Sequence, residues 1–361
     1  MSLGPSPVQT AATEAATEAA TEVVTSALPE TDDVSSEQPN TSPSAPPVRG
    51  WRVRTARRLL ALGRHCDQWP PVLRRPLRPV IAVMIEGLVL GLLRPGDVDT
   101  LVTATYAADR QYYDPRQYRQ PYEARLLPAL QQVATGTRLL DAFCGQGREA
   151  RVFAEAGYQV TGVDRLDWMI DAARQYAQEA SFPANFVVAD FDALNVNPGF
   201  DVVYTSCWMY STQQGCDRRA RFLERCRSLC ASGGVIVFSI VERPPAAWPA
   251  SLLRYVLARL TAFVTLGHWR TEFGERLYSG LFWHHLSVTQ VEHELQQANL
   301  RVLRTVSGTG VEPTFFFVTD VTHNGVADNG VAHNDVIHNG VEQDDVSPDR
   351  LPGPSSQKES R

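Results

Sequence analysis

The sequence predicts an α/β domain built on a mostly parallel sheet with helices on both faces. Three observations carry this. From residue 138 onward, short apolar runs at 138–143, 159–163, 185–188, 201–205 and 235–240 alternate with helical periods at 148–156, 167–180 and 218–230. Short strands that stay apolar on both faces belong to a sheet covered on both sides. Leu139-Leu140-Asp141-Ala142-Phe143-Cys144-Gly145-Gln146-Gly147-Arg148 then leads one such strand into a glycine turn and directly into a helix. Finally, Asp164 ends the second strand and Asp190 follows the third, so acids stand at successive strand ends.

In chain order, residues 1–48 carry seven acids and no Lys or Arg, with Ala-Ala-Thr-Glu recurring between Ala11 and Glu22. They hold too few large apolar side chains to offset the entropy of ordering, and a disordered tail is expected. Residues 49–135 read as an Arg- and Tyr-rich helical extension and cap. Helices over 52–62 and 79–93 flank Trp69-Pro70-Pro71, and Tyr106, Tyr112, Tyr113, Tyr118 and Tyr122 lead into a helix over 123–133. Residues 136–319 form the α/β domain, with a helical cap insertion at 246–286 and a helix over 289–298. Strands at 301–306 and 314–319 close it as an antiparallel hairpin, giving seven strands with an antiparallel terminal strand. In 320–361, Val recurs every five residues from Val321 to Val346 among Asn, Asp and Gly, which cannot bury a core. A disordered low-complexity tail is expected there, against a metal-binding reading of His323, His333 and His338.

The net charge of −6 comes from these ends: 320–361 hold eight acids against three bases, whereas 49–79 hold nine Arg against Asp67 alone. The acidic balance therefore says nothing about the partner of the folded part. The Arg-rich stretch and the mostly apolar helix at 251–266 point to an acidic or membrane-proximal partner through peripheral contact. Solvated arginines on packed helices are the plainer account. Six Cys without a C-x-x-C pair read as buried thiols, not a zinc site, and no metal is expected. The longest apolar run, 80–93, is broken by Glu86 and is too short to span a bilayer; with no secretory signal, the expected compartment is the cytoplasm.

The strand ends carry the chemistry. Gly145 and Gly147 let the backbone approach a ligand closely, and the helix start offers free N–H groups. Asp164 can accept two charge-assisted hydrogen bonds from ribose hydroxyls, and Asp190 with Phe191 stands where an adenine amino group can be met. Three stations in register point to an adenosine-bearing ligand. The same residues fit the dinucleotide pattern G-x-G-x-x-A (Gly145, Gly147, Ala150), so spacing alone leaves NAD open.

The run 139–148, followed by Ala156-Gly157-Tyr158-Gln159-Val160-Thr161-Gly162-Val163-Asp164 and Met169, resembles class I, Rossmann-like S-adenosylmethionine-dependent methyltransferases that act on small molecules. Phe200-Asp201-Val202-Val203-Tyr204 and Ser232-Gly233-Gly234-Val235 resemble that family's fourth strand and its turn into the fifth, so the resemblance covers 136–319. It implies S-adenosylmethionine as cofactor. It places Asp141 near the methionine part, Asp164 on the ribose and Asp190 with Phe191 at the adenine, within a shell that includes Phe143, Gly145, Gly147, Arg165, Met169 and Thr205. Phe143 replaces the first glycine of the family pattern. Phe-x-Gly-x-Gly also resembles nucleic-acid base methyltransferases, but Thr205-Ser206-Cys207-Trp208-Met209-Tyr210 stands where those carry Asn/Asp-Pro-Pro-Tyr, and no Pro-Cys nucleophile is present. A non-catalytic cofactor-binding adaptor is a third reading, opposed by the intact Gly145, Gly147, Asp164 and Asp190.

Methyl transfer from a sulfonium is an in-line displacement with an activated donor, so alignment and water exclusion matter more than a catalytic dyad. The acceptor is expected above the end of the fourth strand, under a cap from 106–122 and 250–286. Trp208, Tyr210, Phe282 and Trp283 would line it and favour a small apolar or aromatic molecule. Tyr113, His284 and His285 are the candidate catalytic side chains, each set against a packing role.

Overall fold

The computed structural model describes residues 50–108, 114–116, 123–205, 208–244, 248–278, 280–308 and 313–320. The two tails, Tyr112, Tyr113, Tyr118, Tyr122 and Cys207 lie outside these residues. Of the two compact units, 1–327 and 328–361, all described residues belong to the first.

Five parallel strands form the centre: β1 (Arg138–Ala142), β2 (Gln159–Asp164), β3 (Ala184–Val188), β4 (Phe200–Thr205) and β5 (Cys230–Glu242), in the order β3-β2-β1-β4-β5. Two further strands, β6 (Glu275–Tyr278) and β7 (Leu281–Leu286), form a hairpin joined to β5 at Val241↔His285. The last two, β8 (Leu300–Val306) and β9 (Thr314–Asp320), form a second hairpin, and β9 lies antiparallel to β5 from Ile236↔Val318 to Ile240↔Thr314. The expected seven strands are thus all present, and the β6–β7 hairpin raises the sheet to nine.

Because strand side chains alternate, each strand feeds two cores. Leu139, Val160, Tyr204, Val237 and Phe317 pack with Leu126 and Leu130 of α4 (Glu123–Val133), Phe153 of α5 (Arg148–Glu155) and Ile170 of α6 (Asp167–Ala180). Leu140, Val203, Ile236 and Phe316 pack on the opposite face with Phe222 and Cys226 of α7 (Cys216–Leu229) and Leu295 of α9 (Val288–Gln297). Strand order reverses between β1 and β4, which opens a crevice at the carboxyl ends of the strands.

A third core joins the N-terminal helices to the insertion. Val53 of α1 (Trp51–His65), Val89 and Leu90 of α2 (Pro71–Leu92), Val98 and Leu101 of α3 (Pro95–Ala108), Ala258 of α8 (Trp248–Thr265), and Leu277 and Phe282 of the hairpin pack together. Helix α2 seats on α8 through Gly87 and Gly91. A Cβ on Gly91 would stand 2.1 Å from the Ala258 carbonyl oxygen, so only glycine permits the approach. Glu86, which interrupts the apolar run, pairs in this interior with Arg254 at 2.7 Å and Arg276 at 2.8 Å.

Three readings need correction. Residues 266–286 are not helical: after α8 the chain turns at Gly267, and 281–286 show a burial alternation of period two. Residues Tyr278 and Leu281 are paired and Gly280 takes φ 87°, a hairpin signal that the aromatic content obscured. Helix α2 starts at Pro71, eight residues before the expected start, because proline at the first helical position costs no hydrogen bond. Helix α3 was not anticipated. Its signal was present, with Pro95 at the first position and Asp97 accepting the Arg94 N–H at 3.0 Å. Among the described residues no helix is long and apolar enough to cross a membrane.

Candidate functional site

The glycine turn follows β1 directly. Phe143, Gly145 and Gly147 take φ of 61°, 52° and 82°, all left-handed. For Phe143 that conformation costs about 1–2 kcal/mol. Its ring packs 5.0 Å from Phe191 and 6.1 Å from Phe222, contacts that offset the strain and account for Phe at a glycine position. A Cβ on Gly147 would press on Phe186 at 3.1 Å and Ala173 at 3.3 Å, whereas one on Gly145 would meet only the Met169 sulfur at 3.8 Å. That contact is an ordinary one, so Gly145 is required by its left-handed φ more than by crowding.

Asp141 lies under this turn. It is fully buried, and neither carboxylate oxygen has a hydrogen-bond partner. Burial, with the Glu149 charge nearby, pushes its pKa well above the ordinary carboxylate range. A buried, unpartnered acid beside the glycine turn suits a ligand that brings a positive group.

Asp164 closes β2, one strand over. Its oxygens accept the Gly145 N–H at 3.1 Å and the Leu166 N–H at 2.9 Å, which fixes the carboxylate against the turn. Each oxygen keeps lone-pair capacity for a hydroxyl donor. Burial nevertheless raises its pKa. Asp190, after β3, accepts the Asp192 N–H at 2.9 Å, and the Ala189 N–H donates to the Asp164 carbonyl at 3.0 Å, so the β2 and β3 ends are tied in register. Met169 is buried beside Gly145. The Phe191 ring is buried in the core, and its carbonyl accepts from Arg225 at 3.1 Å. Thr205 is fully buried, with its hydroxyl donating to the Val237 carbonyl at 3.4 Å. Arg165 donates to the Thr103 hydroxyl of α3 at 2.5 Å, so it fastens the N-terminal helices over the β2 end.

On the acceptor side the structure divides the sequence candidates. Trp208 and Trp283 are partly exposed and meet edge to face at 5.9 Å. Trp208, three residues beyond the β4 end, takes φ 65°, and its backbone N–H donates to Ser239 at 2.7 Å. Tyr210 and Phe282 do not join them. Tyr210 is fully buried between Phe222 and Phe238 with its hydroxyl donating to Glu294, and Phe282 belongs to the third core. In β7 the side chains alternate, so Trp283 and Phe282 face opposite ways.

His284 is also withdrawn from catalysis. Its Nδ1 accepts from Arg219 at 2.9 Å and its Nε2–H donates to the Phe273 carbonyl at 3.1 Å, so both ring nitrogens are committed. Burial and the Arg219 charge hold its pKa down to about 4. His285 is held down to about 3 by burial and by Arg276 and Arg254, a poor match for a base near neutral pH. Tyr113 lies outside the described residues.

Sequence reading missed two features. One is the buried Arg219, which binds Glu294 at 2.7 Å and Glu272 at 2.8 Å and thereby locks α7, α9 and the insertion together. Only the three-dimensional meeting of four segments reveals it. The other is that Tyr106, named above only as part of the Tyr-rich stretch, belongs to α3 and lies near enough to Asp164 that burial and that charge push its pKa up to about 12. Among the described residues, ligand atoms of Glu272, Glu275 and His284 lie within 4.8 Å, and Arg219 is bonded to Glu272 and His284 there. The surface cleft lined by Arg174, Phe182 and Asn185 lies at the start of β3, the opposite strand end from the glycine turn.

Residues 139–234 match the family model described as a methyltransferase domain. A curated relative, the malonyl-[acyl-carrier protein] O-methyltransferase of Pseudescherichia vulneris, is 29% identical over 182 residues, 48% of this chain and 70% of that protein. The ubiquinone biosynthesis O-methyltransferase of Paramagnetospirillum magneticum is 31% identical over 127 residues, 35% of this chain, which spans about half (49%) of that relative's length. Among solved structures, an S-adenosylmethionine-dependent methyltransferase from Clostridium acetobutylicum aligns with a TM-score of 0.43 at 15% identity, over 60% of this chain and 98% of that one. With the β3-β2-β1-β4-β5 order, the antiparallel β9 and the glycine turn beside the strand-end acids, residues 139–234 form a methyltransferase domain similar to those of the class I, S-adenosylmethionine-dependent kind.

Proposed function

We propose that the chain methylates a small, largely apolar or aromatic molecule held against Trp208 and Trp283. The observation that carries this reading is the partly exposed edge-to-face indole pair, one ring following the β4 end and the other on the hairpin that leads back to β5. Indole faces bury apolar area and attract a positive charge, so they suit both an aromatic acceptor and a neighbouring sulfonium. The cap is α3 with the β6–β7 hairpin, joined where Thr105 donates to the Gly280 carbonyl at 3.3 Å.

The cofactor supplies an activated methyl group whose bond to sulfur breaks as the acceptor lone pair attacks. The chain's residues position the partners. Asp141 answers the α-ammonium, Asp164 accepts from the ribose hydroxyls, Asp190 and the Phe191 main chain meet the adenine, and Gly145 and Gly147 give room. With His284 committed to Arg219 and Phe273, alignment and water exclusion replace a histidine base. Nucleic acid loses its motif support, since the Phe143 ring serves the core.

The test is methyl transfer from labelled S-adenosylmethionine to a panel of phenols, aromatic acids and aliphatic acids. Oxygen acceptors come first because both curated relatives are named O-methyltransferases. Replacing Trp283 by Ala should lower kcat/KM at least tenfold and leave S-adenosylhomocysteine affinity within about twofold. Full turnover in Trp283→Ala, or transfer confined to RNA, would sink the proposal.

A further inference from the structure

Helices α2 and α8 run parallel, because Gly87 seats on Arg254 and Leu257 while Gly91 seats on Ala258 and Thr261. At about 100° per residue, this contact fixes where every other position points. Val89, Leu90 and Ala258 turn to the third core. Leu77, Val80 and Met84 lie on the glycine side of α2, toward its N-terminal end, and Val256, Leu260 and Phe263 lie on the side of α8 turned away from α2. All six are exposed, Leu260 to 59% and Phe263 to 83%. The 18-residue α8 is about 27 Å long, so its exposed apolar side is several turns in extent.

The surrounding charge has one sign. Apart from the buried Glu86, neither α2 nor α8 contains an acid, and α1 contains none. Arg74, Arg75 and Arg259 are exposed on the pair, and Arg54, Arg57, Arg58 and Arg64 are exposed on α1. Trp248 and Trp269 stand exposed at the two ends of α8, with the Arg270 guanidinium over the Trp269 ring at 5.2 Å. Exposed tryptophans and arginines around an apolar helical face match the layering of a bilayer surface, with hydrocarbon below an anionic headgroup zone.

We propose that the α2–α8 face docks onto an anionic lipid surface, the two helices lying in the interface without crossing it. A second copy of the chain would set arginine against arginine with no acid in either helix pair. A nucleic acid would answer the arginines but leave the apolar stripe in water. A lipid surface answers both. Docking of this kind would hold the cap of the methyltransferase at a source of apolar molecules.

Flotation of the full chain with vesicles tests this, using phosphatidylcholine alone and phosphatidylcholine with about one-third phosphatidylglycerol. The chain should float with the anionic vesicles and be released by salt. The double variant L260E/F263E should lower the partition coefficient at least tenfold, and R74A/R75A several-fold with a weaker salt dependence. Unchanged S-adenosylhomocysteine affinity in both variants certifies folding. No flotation with anionic vesicles would overturn the proposal. So would equal binding of wild type and L260E/F263E, or a wild-type dimer in light scattering that L260E/F263E dissociates, which would identify a second copy as the occupant.

Discussion

Cofactor binding should release a proton, and Asp141 should be its source. The carboxyl is fully buried with both oxygens unpartnered, and its pKa lies well above the ordinary range. The upward shift favours the protonated form in the free protein. An α-ammonium beside it favours the ionised form, so binding lowers the pKa and expels the proton. The sign follows: affinity strengthens as pH rises toward the pKa of the free protein, by up to tenfold per unit, or about 1.4 kcal/mol, and levels off above it. Asp141→Asn keeps the shape but cannot ionise. It should weaken S-adenosylhomocysteine binding by about 10–100-fold, the loss of a charge-assisted bond of about 1.5–3 kcal/mol, and should abolish the pH slope. Calorimetry in two buffers of different ionisation enthalpy counts the proton directly. Buffer-independent heats in the wild type, together with wild-type affinity in Asp141→Asn, would refute the reasoning.

Asp164→Ala should weaken S-adenosylhomocysteine binding about 10–100-fold by losing the ribose acceptor, and tight NAD binding in calorimetry would contradict the cofactor assignment. Gly91→Ala, whose Cβ would stand 2.1 Å from the Ala258 oxygen, should cost about 1–3 kcal/mol and several degrees of Tm. Gly96→Ala, with nothing within 4 Å of its Cβ, should be neutral or stabilising, and equal melting of the two variants would discredit the packing account. Burial and the Glu272 charge raise Glu275 to about 8, so its folded form is neutral while the unfolded chain ionises above about 4.5. Its contribution is complete below about 4.5 and drains away until about pH 8, at about 1.4 kcal/mol per unit. Glu275→Gln should flatten that decline in a Tm-against-pH series, and an unchanged slope would count against it.

The glycine turn and the strand-end acids were legible because their requirements are local. A left-handed turn needs glycine or a compensated substitute, and a strand of period two sends its last residue to a fixed edge. For the same reason β1 to β5 and the closing hairpin could be read from apolar runs bounded by turns. The acceptor side could not. Trp283 and Phe282 are adjacent in sequence and equally aromatic, yet one is partly exposed and the other buried, because β7 is a strand and not the expected helix. His284 looked like a base until Arg219, 65 residues earlier, proved to occupy its Nδ1. By itself the sequence determined the methyltransferase-like α/β domain, the glycine turn and the acids at the strand ends, since short-range pattern and backbone geometry specify them. Only the tertiary structure decided which aromatics face outward, which histidine is committed, and that α2 and α8 leave apolar side chains uncovered. Those outcomes depend on contacts between segments far apart in the chain, where burial and pairing override what a residue type suggests.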